Sequence, residues 1–351
     1  MKIQPDRLKA LGTKIFAAAG CNDAEARRVA HYLVEANLVG HDSHGVIRIL
    51  TYVDFIRSGR VIPNQTIEVL QENEVLAVVD GRFGLGQTIG EQAMQLGIDK
   101  SAKHGVAVIA LRNVGHLGRI GDWPLMAARA GKISLHWVNT SGAGILVAPF
   151  GGINRRLSAN PIAAAVPSKS GAPILMDISA CTLAEGKIRV ALNKGVPVPD
   201  GCIIDSKGQP TNDPKVFYNN PVGAILSIAG HKGYALGIII EMLAGALTGG
   251  SCSDPKNAGR LANGMLAILL DPQFFLSEAE FYGEIERFVA YVKSSEKATA
   301  DGEILMPGEI EERTKTRRLR EGIELDETTW KQICQTCEAL GLGKEAAALA
   351  G

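Results

Sequence analysis

Charge of one sign is missing from this 351-residue chain: Lys+Arg and Asp+Glu both number 37, leaving a formal net charge of zero. General binding to nucleic acid draws on a positive surplus that recruits phosphates, so the balance argues against that class of function. Long hydrophobic runs are missing too. The longest candidate, Tyr234 to Leu247, falls short of the ~20 residues of a bilayer span and carries Glu241. The opening stretch MKIQPDRLKALG has no apolar segment of the signal-peptide kind, which predicts a cytoplasmic protein. Cysteine is sparse, with six residues and no framework spacing, so reduced thiols are expected. Aromatic residues make up only 5%. Glycine is the abundant residue at 40 copies, and hydrophobic content of 46% against 21% charged predicts an α/β fold with close backbone approaches.

Periodicity divides the chain. Leu8, Leu11, Ile15 and Phe16 recur near helical spacing over Pro5 to Ala19, and Asn22 followed by Glu25 is a capping-box pattern opening a helix that runs to Gly40. A third helix is expected from about Ser43 to Ser58, with Ile47, Leu50, Phe55 and Ile56 on its apolar side. Glu327 to Leu340 and Lys344 to Leu349 read as helices again, so both chain ends can form one helical domain, residues 1–72 with 310–351. Between them, Val75–Asp80, Val106–Leu111, Ile133–Val138, Ile162–Val166, Ile174–Ile178, Gly223–Ala229 and Met265–Leu270 read as strands. Helices are expected at Gly90–Gly105, Asp122–Gly131, Tyr234–Thr248 and Glu278–Ser294, giving an α/β domain over 73–309 with a sheet covered by helices. Asn193 to Pro221, rich in proline, is expected as a long loop.

Four segments carry candidate chemistry. Gly84, Gly86 and Gly90 lie between a strand and a helix, but their G-x-G-x-x-x-G spacing and the lack of an acid ending the next strand favour a plain turn over a dinucleotide fingerprint. In GHDSHGVIRI, His44 and Arg48 are four apart and on a helix would share a face. The pairing offers a proton-transfer group beside a carboxylate fork, with Ser43 able to orient the ring; a capping serine with surface partners is the plain alternative. A metal site at His41, Asp42 and His44 lacks further ligands nearby. His116, among Gly115, Gly118 and Gly121, follows a strand end, where ligands of open α/β sheets bind. Gly230, His231, Lys232 and Gly233 open a helix whose N–H groups and lysine suit an anion. Two features read as structural: the Cys334–Cys337 spacing lies on an apolar helix face, and the charge run Glu309–Arg320 is a solvated face.

A resemblance emerges from HDSHGVIR (41–48), NVGHLGRIG (113–121), VAPFGG (147–152), ANPIA (159–163), LMDIS (175–179), GKIRVALNKGVPVPDGCIID (186–205), GHKGYAL (230–236) and MPGE (306–309). In this order, over nearly the whole chain, they resemble the type-2 malate/L-lactate dehydrogenase family, also called sulfolactate dehydrogenase-like, with the hydroxycarboxylate dehydrogenase branch nearest in character. The resemblance implies NAD or NADP held in a non-Rossmann α/β domain with a mixed sheet, a helical domain from both chain ends, and a homodimer acting on a small carboxylate. It further implies His44 and His116 as proton-transfer candidates with Ser43 beside the first. Arg48 is the implied grip on the substrate carboxylate, with Ala159 and Gly186 on the substrate side. Gly118, Arg119, Thr140, Asp177, Ile178, Ser179, His231, Lys232, Met306, Pro307 and Gly308 are the implied cofactor contacts. Two departures stand out: Ala159 replaces the threonine of the Gly-Thr-Asn-Pro found in many relatives, and Lys187 stands where the imino-acid reductase branch has an acid. The expected activity is interconversion of 2-hydroxy and 2-oxo acids. Reduction of a cyclic imino acid on the same scaffold is the runner-up, and a silent cofactor-binding relative the third possibility.

Overall fold

Pro5 opens the first helix, Pro5–Ala18, at a position where its missing N–H has no intrahelical partner to lose. Leu8, Leu11, Ile15 and Phe16 form its buried side, as their spacing predicts. The second helix, Asp23–Leu38, begins where Asn22 accepts the Glu25 N–H at 2.9 Å. The reciprocal half of the expected capping box is not made. Glu25 Oε2 accepts instead from the Asn64 N–H at 2.5 Å, and the Asn22 N–H donates to Asn64 Oδ1 at 2.7 Å. A tertiary contact has replaced the local one.

The third segment departs further from its pattern. Two 3₁₀ turns, Asp42–His44 and Val46–Arg48, precede a shorter helix, Ile49–Arg57. Asn37 is the cause: its Oδ1 accepts the Val46 N–H at 2.8 Å, taking a donor that a continuous helix would use. Gly45 lets the two segments meet, since a Cβ there would lie 2.2 Å from Asn37 Oδ1.

The computed structural model describes residues 1–169, 171–257, 259 and 261–350; the expected C-terminal limit, residue 351, lies outside them. One apolar cluster joins Leu8, Phe16, Leu33, Ile49 and Tyr52 to Ile323, Leu325, Ile333 and Cys337, so both chain ends share a core. Cys334 packs against it, and the six cysteines are free. Helix Glu309–Glu321 buries none of its residues, in keeping with a solvated charge run.

A seven-stranded sheet runs Glu68–Glu72, Leu76–Asp80, Val106–Val114, Asn263–Leu270, Ile133–Thr140, Pro161–Val166 and Ile174–Ser179 in spatial order. Only Leu76–Asp80 and Val106–Val114 pair in parallel; every other neighbour is antiparallel. A doubly wound dinucleotide fold needs a mostly parallel sheet, so this mixed α/β architecture is of another kind. Glu68–Glu72 is exposed throughout and lacks the apolar alternation that announces a strand. The strand expected at Gly223–Ala229 shrinks to Ala224–Ile225, in a small sheet with Ile203–Ile204 and Pro210–Thr211. The expected loop at 193–221 therefore holds two short strands and the helix Lys215–Tyr218. Helix His231–Ile240 starts three residues earlier than its pattern predicts and passes into a π-helical turn, Glu241–Ala246.

His136, within the sheet, is 0% exposed; its Nε2 lies 2.9 Å from Ser134 Oγ and its Nδ1 has no partner among the described residues. Burial pushes its pKa from 6.5 down to about 3. The unfolded chain therefore takes up a proton near pH 6.5 that the folded protein refuses, and stability present above that pH drains away as the pH falls toward 3. His136→Gln should shrink the loss of unfolding free energy between pH 6.5 and 5 by about 2 kcal/mol, read from urea titrations at both pH values. Equal losses in the two proteins would clear His136 of this role.

Candidate active site

The glycine run at 84–90 turns out to seat the His116 loop. Gly115 donates its N–H to Gly84 O at 2.9 Å, and a Cβ on Gly86 would stand 2.0 Å from His116 O. A Cβ on Gly90 would come within 2.6 Å of the Trp123 ring. These are backbone approaches that no side chain permits, which explains the glycines without a nucleotide. On the other side of the loop, Leu117 donates its N–H to Asn263 Oδ1 at 2.9 Å.

The loop delivers His116 to His44. Their rings stack with centroids 5.6 Å apart and an interplanar angle of 14°. Ser43 Oγ lies 3.0 Å from His44 Nδ1, and the Tyr52 hydroxyl lies 2.6 Å from His116 Nδ1. The sequence places His44 and Arg48 on one helix face; the 3₁₀ turns bring them together differently. Arg48 folds back so that Nε donates to Ser43 O at 2.7 Å, and its two terminal nitrogens have no protein partner among the described residues. Burial, then His116 and Arg48, hold the His44 pKa well below 6.5; burial, then Arg48, hold His116 down to about 3. Both rings are thus neutral near pH 7, half-buried, next to a guanidinium whose fork is free.

Backbone contacts knit the other expected residues around this pair. A Cβ on Gly186 would press to 2.5 Å from Ser43 Cβ, so helix Glu185–Lys194 begins against the serine. Ala180 donates its N–H to Ala159 O at 3.0 Å, and Ile228 donates to Ala180 O at 2.9 Å. This sets Ala159, Ser179 and the approach to His231 side by side. Asp177 Oδ2 accepts the Gly121 N–H at 2.9 Å, tying strand Ile174–Ser179 to the loop of Gly118 and Arg119. Burial raises the Asp177 pKa, against His41, the Gly121 N–H and Arg119. Thr140, at the end of its strand, donates its N–H to Ser158 Oγ at 3.2 Å, and its hydroxyl accepts from Asn263 Nδ2 at 3.0 Å. Ile178, near the end of strand Ile174–Ser179, exposes 43% of its surface. Pro307 O accepts the Leu175 N–H at 3.0 Å, and Met306 donates its N–H to Glu309 Oε2 at 3.1 Å.

A polar cleft of about 380 Å³ is lined among others by Arg119, Asp122, Leu175 and Gly308. Arg119 supplies the test of whether a charged cofactor fits: it is 4% exposed and paired with Asp122 at 2.5 Å, yet its Nη1 is buried with no partner among the described residues. A buried guanidinium nitrogen without a partner fits a phosphate or amide oxygen. At the anion seat expected at His231 and Lys232, part of the helix N-terminus is already engaged. Gly233 and Tyr234 donate their N–H groups to Ile228 and Gly230 carbonyls, so the exposed Lys232 side chain carries that expectation. His231 packs edge-on to Phe150.

Asp42 is engaged elsewhere, accepting from Arg318 at 2.6 and 3.0 Å and from Asn37 at 2.6 Å, while His41 pairs with Glu311 at 3.6 Å. Lys187 is exposed, whereas Glu185, two residues before it, is half-buried, bonded to Tyr218 OH at 2.8 Å and within charge range of Arg48. Burial disfavours its charge, but Arg189 and Tyr218 hold its pKa below the usual value. Tyr52, Gln87 and Glu185 were not among the residues expected at the site. Tyr52 did leave a signal, lying four residues beyond Arg48 as Arg48 lies four beyond His44. Gln87 and Glu185 left none.

The description malate/L-lactate dehydrogenase belongs to the family model that matches residues 3–334. Hydroxycarboxylate dehydrogenase B of Escherichia coli K12 is 39% identical over 335 residues, covering 94% of this chain and 92% of that one. The structure of sulfolactate dehydrogenase from Methanocaldococcus jannaschii superposes with a TM-score of 0.88 at 34% identity over 100% of both chains. That of delta1-piperideine-2-carboxylate reductase from Pseudomonas syringae pvar. tomato gives 0.84 at 27% identity, over 96% of this chain and 99% of that one.

Proposed function

Because the chain belongs to the malate/L-lactate dehydrogenase family, we propose that it interconverts small 2-hydroxy acids and 2-oxo acids with NAD or NADP. The observation that carries this reading is the neutral, stacked His44–His116 pair beside the free fork of Arg48. When bound, the nicotinamide supplies or accepts the hydride at C2. Arg48 grips the substrate carboxylate through its terminal nitrogens, which fixes the distance from C2 to the rings. His116 meets the C2 oxygen and His44, steadied by Ser43, lies toward the carboxylate end. Arg119, Thr140, Asp177 to Ser179, Lys232 and Met306 to Gly308 hold the cofactor. Screening 2-oxo acids with NADH and NADPH by absorbance tests the reading; no turnover with any of them would sink it.

Glu185 favours one second reading. A carboxylate near Ser43 and Arg48 stands where it could assist a cyclic imine, and a piperideine-carboxylate reductase is among the structural relatives. Faster turnover of piperideine- or pyrroline-2-carboxylate than of any 2-oxo acid would establish it.

Lys232→Ala should weaken NAD(P)H binding about threefold to fivefold at low ionic strength and flatten its salt dependence, because an exposed charge contact is screened by salt. Fluorescence titrations at two salt concentrations check this, and identical affinities in both proteins would place the anion contact elsewhere. The same reading includes a helical domain of residues 1–72 and 310–351, an α/β domain of 73–309, and a homodimer. Separate apolar clusters support the division, and exposed Ile239, Met242, Leu247, Phe275 and Tyr291 support the dimer. A one-chain mass by light scattering at micromolar concentration would remove the dimer. Among the described residues, no helix is long and apolar enough to cross a membrane.

A further inference from the structure

Tyr52 is 3% exposed under the His116 loop, its hydroxyl 2.6 Å from His116 Nδ1. Gln87, 1% exposed in the first turn of helix Gly86–His104, donates from Nε2 to the same hydroxyl oxygen at 3.2 Å. A phenol has one hydrogen to give. With Gln87 donating to its oxygen, that hydrogen has His116 Nδ1 as its acceptor. A neutral imidazole that accepts at Nδ1 carries its own hydrogen on Nε2.

Turning the Gln87 amide over would reverse the chain. Oε1 would take the Tyr52 hydrogen, Nδ1–H would donate to the Tyr52 oxygen, and Nε2 would become a bare lone pair. The surroundings weigh against that. Gln87 Oε1 is buried without a partner among the described residues, and reversal would leave the amide nitrogen in its place. Orphaned buried N–H groups are rarer than under-satisfied carbonyls. The other charged or titratable groups around the ring are His44, stacked on its face, and Arg48. A nearby guanidinium opposes double protonation, so the ring keeps a single hydrogen.

We propose that Tyr52 and Gln87 are positioning residues that lock His116 as the Nε2–H tautomer, so that the ring meets the substrate as a hydrogen-bond donor. This has a consequence for substrate class, which rests on the reading that His116 faces the C2 oxygen. A 2-oxo acid presents an acceptor there, and so does the alkoxide formed from it. A protonated cyclic imine presents an N–H, which a donor repels. The lock therefore selects 2-oxo acids over cyclic imino acids, since a buried site built for one hydrogen-bond polarity rejects the other.

The tautomer can be read directly on the full-length protein, labelled with nitrogen-15 histidine and observed by two-bond proton–nitrogen correlation at neutral pH. The signals lost in His116→Gln identify the ring. The expected result is an unprotonated Nδ1 and a protonated Nε2. Tyr52→Phe keeps the aromatic ring and removes the hydroxyl; it should mix the tautomers and raise the titration midpoint of His116 by about 1 pH unit, since the neutral form loses its hydrogen bond. A wild-type ring protonated on Nδ1 would overturn the lock with no variant needed, and so would an unchanged tautomer in Tyr52→Phe. Activity gives a second arm: the ratio of kcat/KM for a 2-oxo acid over piperideine-2-carboxylate should fall about tenfold in Tyr52→Phe. An equal fall for both substrates marks a structural role and overturns the selectivity. If wild type turns over neither substrate, the functional reading fails while the tautomer measurement still decides the lock.

Discussion

His116→Ala should lower kcat for 2-oxo acid reduction by about two to four decades, the range for losing a positioned proton donor or an oxyanion contact, while His44→Ala mainly raises KM. The assignment follows from position. His116 sits at a strand end, on a loop held by Gly84, Gly86 and Asn263, with Nδ1 engaged by Tyr52. His44 is adjacent to Ser43, whose carbonyl anchors Arg48, and so belongs with the carboxylate. The pH dependence carries a sign. In the free enzyme burial and Arg48 hold His116 down to about 3. A bound carboxylate cancels the Arg48 charge while burial remains, so the ring titrates higher in the substrate complex than in the free enzyme. The limb of the pH profile set by His116 should therefore lie at higher pH in kcat, which reports the complex, than in kcat/KM, which reports the free enzyme. His116→Ala should abolish the offset. A collapsed kcat in His44→Ala with near-normal turnover in His116→Ala would transfer the role to His44.

Arg48→Lys is expected to lower kcat/KM by about one to three decades while NAD(P)H affinity holds. The structure shows two separate losses. Lysine cannot donate from an Nε position to Ser43 O while offering a fork, because its single ammonium must do one or the other. The charge itself survives, so His116 should titrate where it does in wild type. Arg48→Met removes charge and fork together, and there the pKa of His116 should rise, since Arg48 is one of the two causes holding it down. Steady-state kinetics with a carboxylate substrate, paired with cofactor titration, separate the cases. An unchanged kcat/KM in Arg48→Lys would mean that the carboxylate binds elsewhere.

Much of the fold was legible because the relevant patterns are local. The strands of the main sheet that carry β-branched runs lie where expected, with ends moved by one to three residues, and the terminal helices follow their apolar spacing. Failures occurred where a distant residue took over a local hydrogen bond. Asn64 took the Glu25 carboxylate from the capping box, and Asn37 took the Val46 N–H from the third helix. The exposed edge strand Glu68–Glu72 was silent because nothing on it needs burying.

The site divides along the same line. Sequence by itself singled out the candidate residues: His44, Arg48 and His116 are marked by type and by the motifs around them, because acid/base and carboxylate-binding work admits few side chains. It also determined that the glycines at 84–90 are no dinucleotide fingerprint, since spacing is a property of the chain. Only the tertiary structure decided that the two imidazoles stack, that Arg48 reaches them through a 3₁₀ break, and that the same glycines seat the His116 loop. It alone brought the Tyr52 hydroxyl onto His116 Nδ1 and Gln87, 35 residues further along, onto that hydroxyl. Proton affinity and tautomer depend on burial and on partners from other elements, and those interactions exist only after the chain has closed on itself.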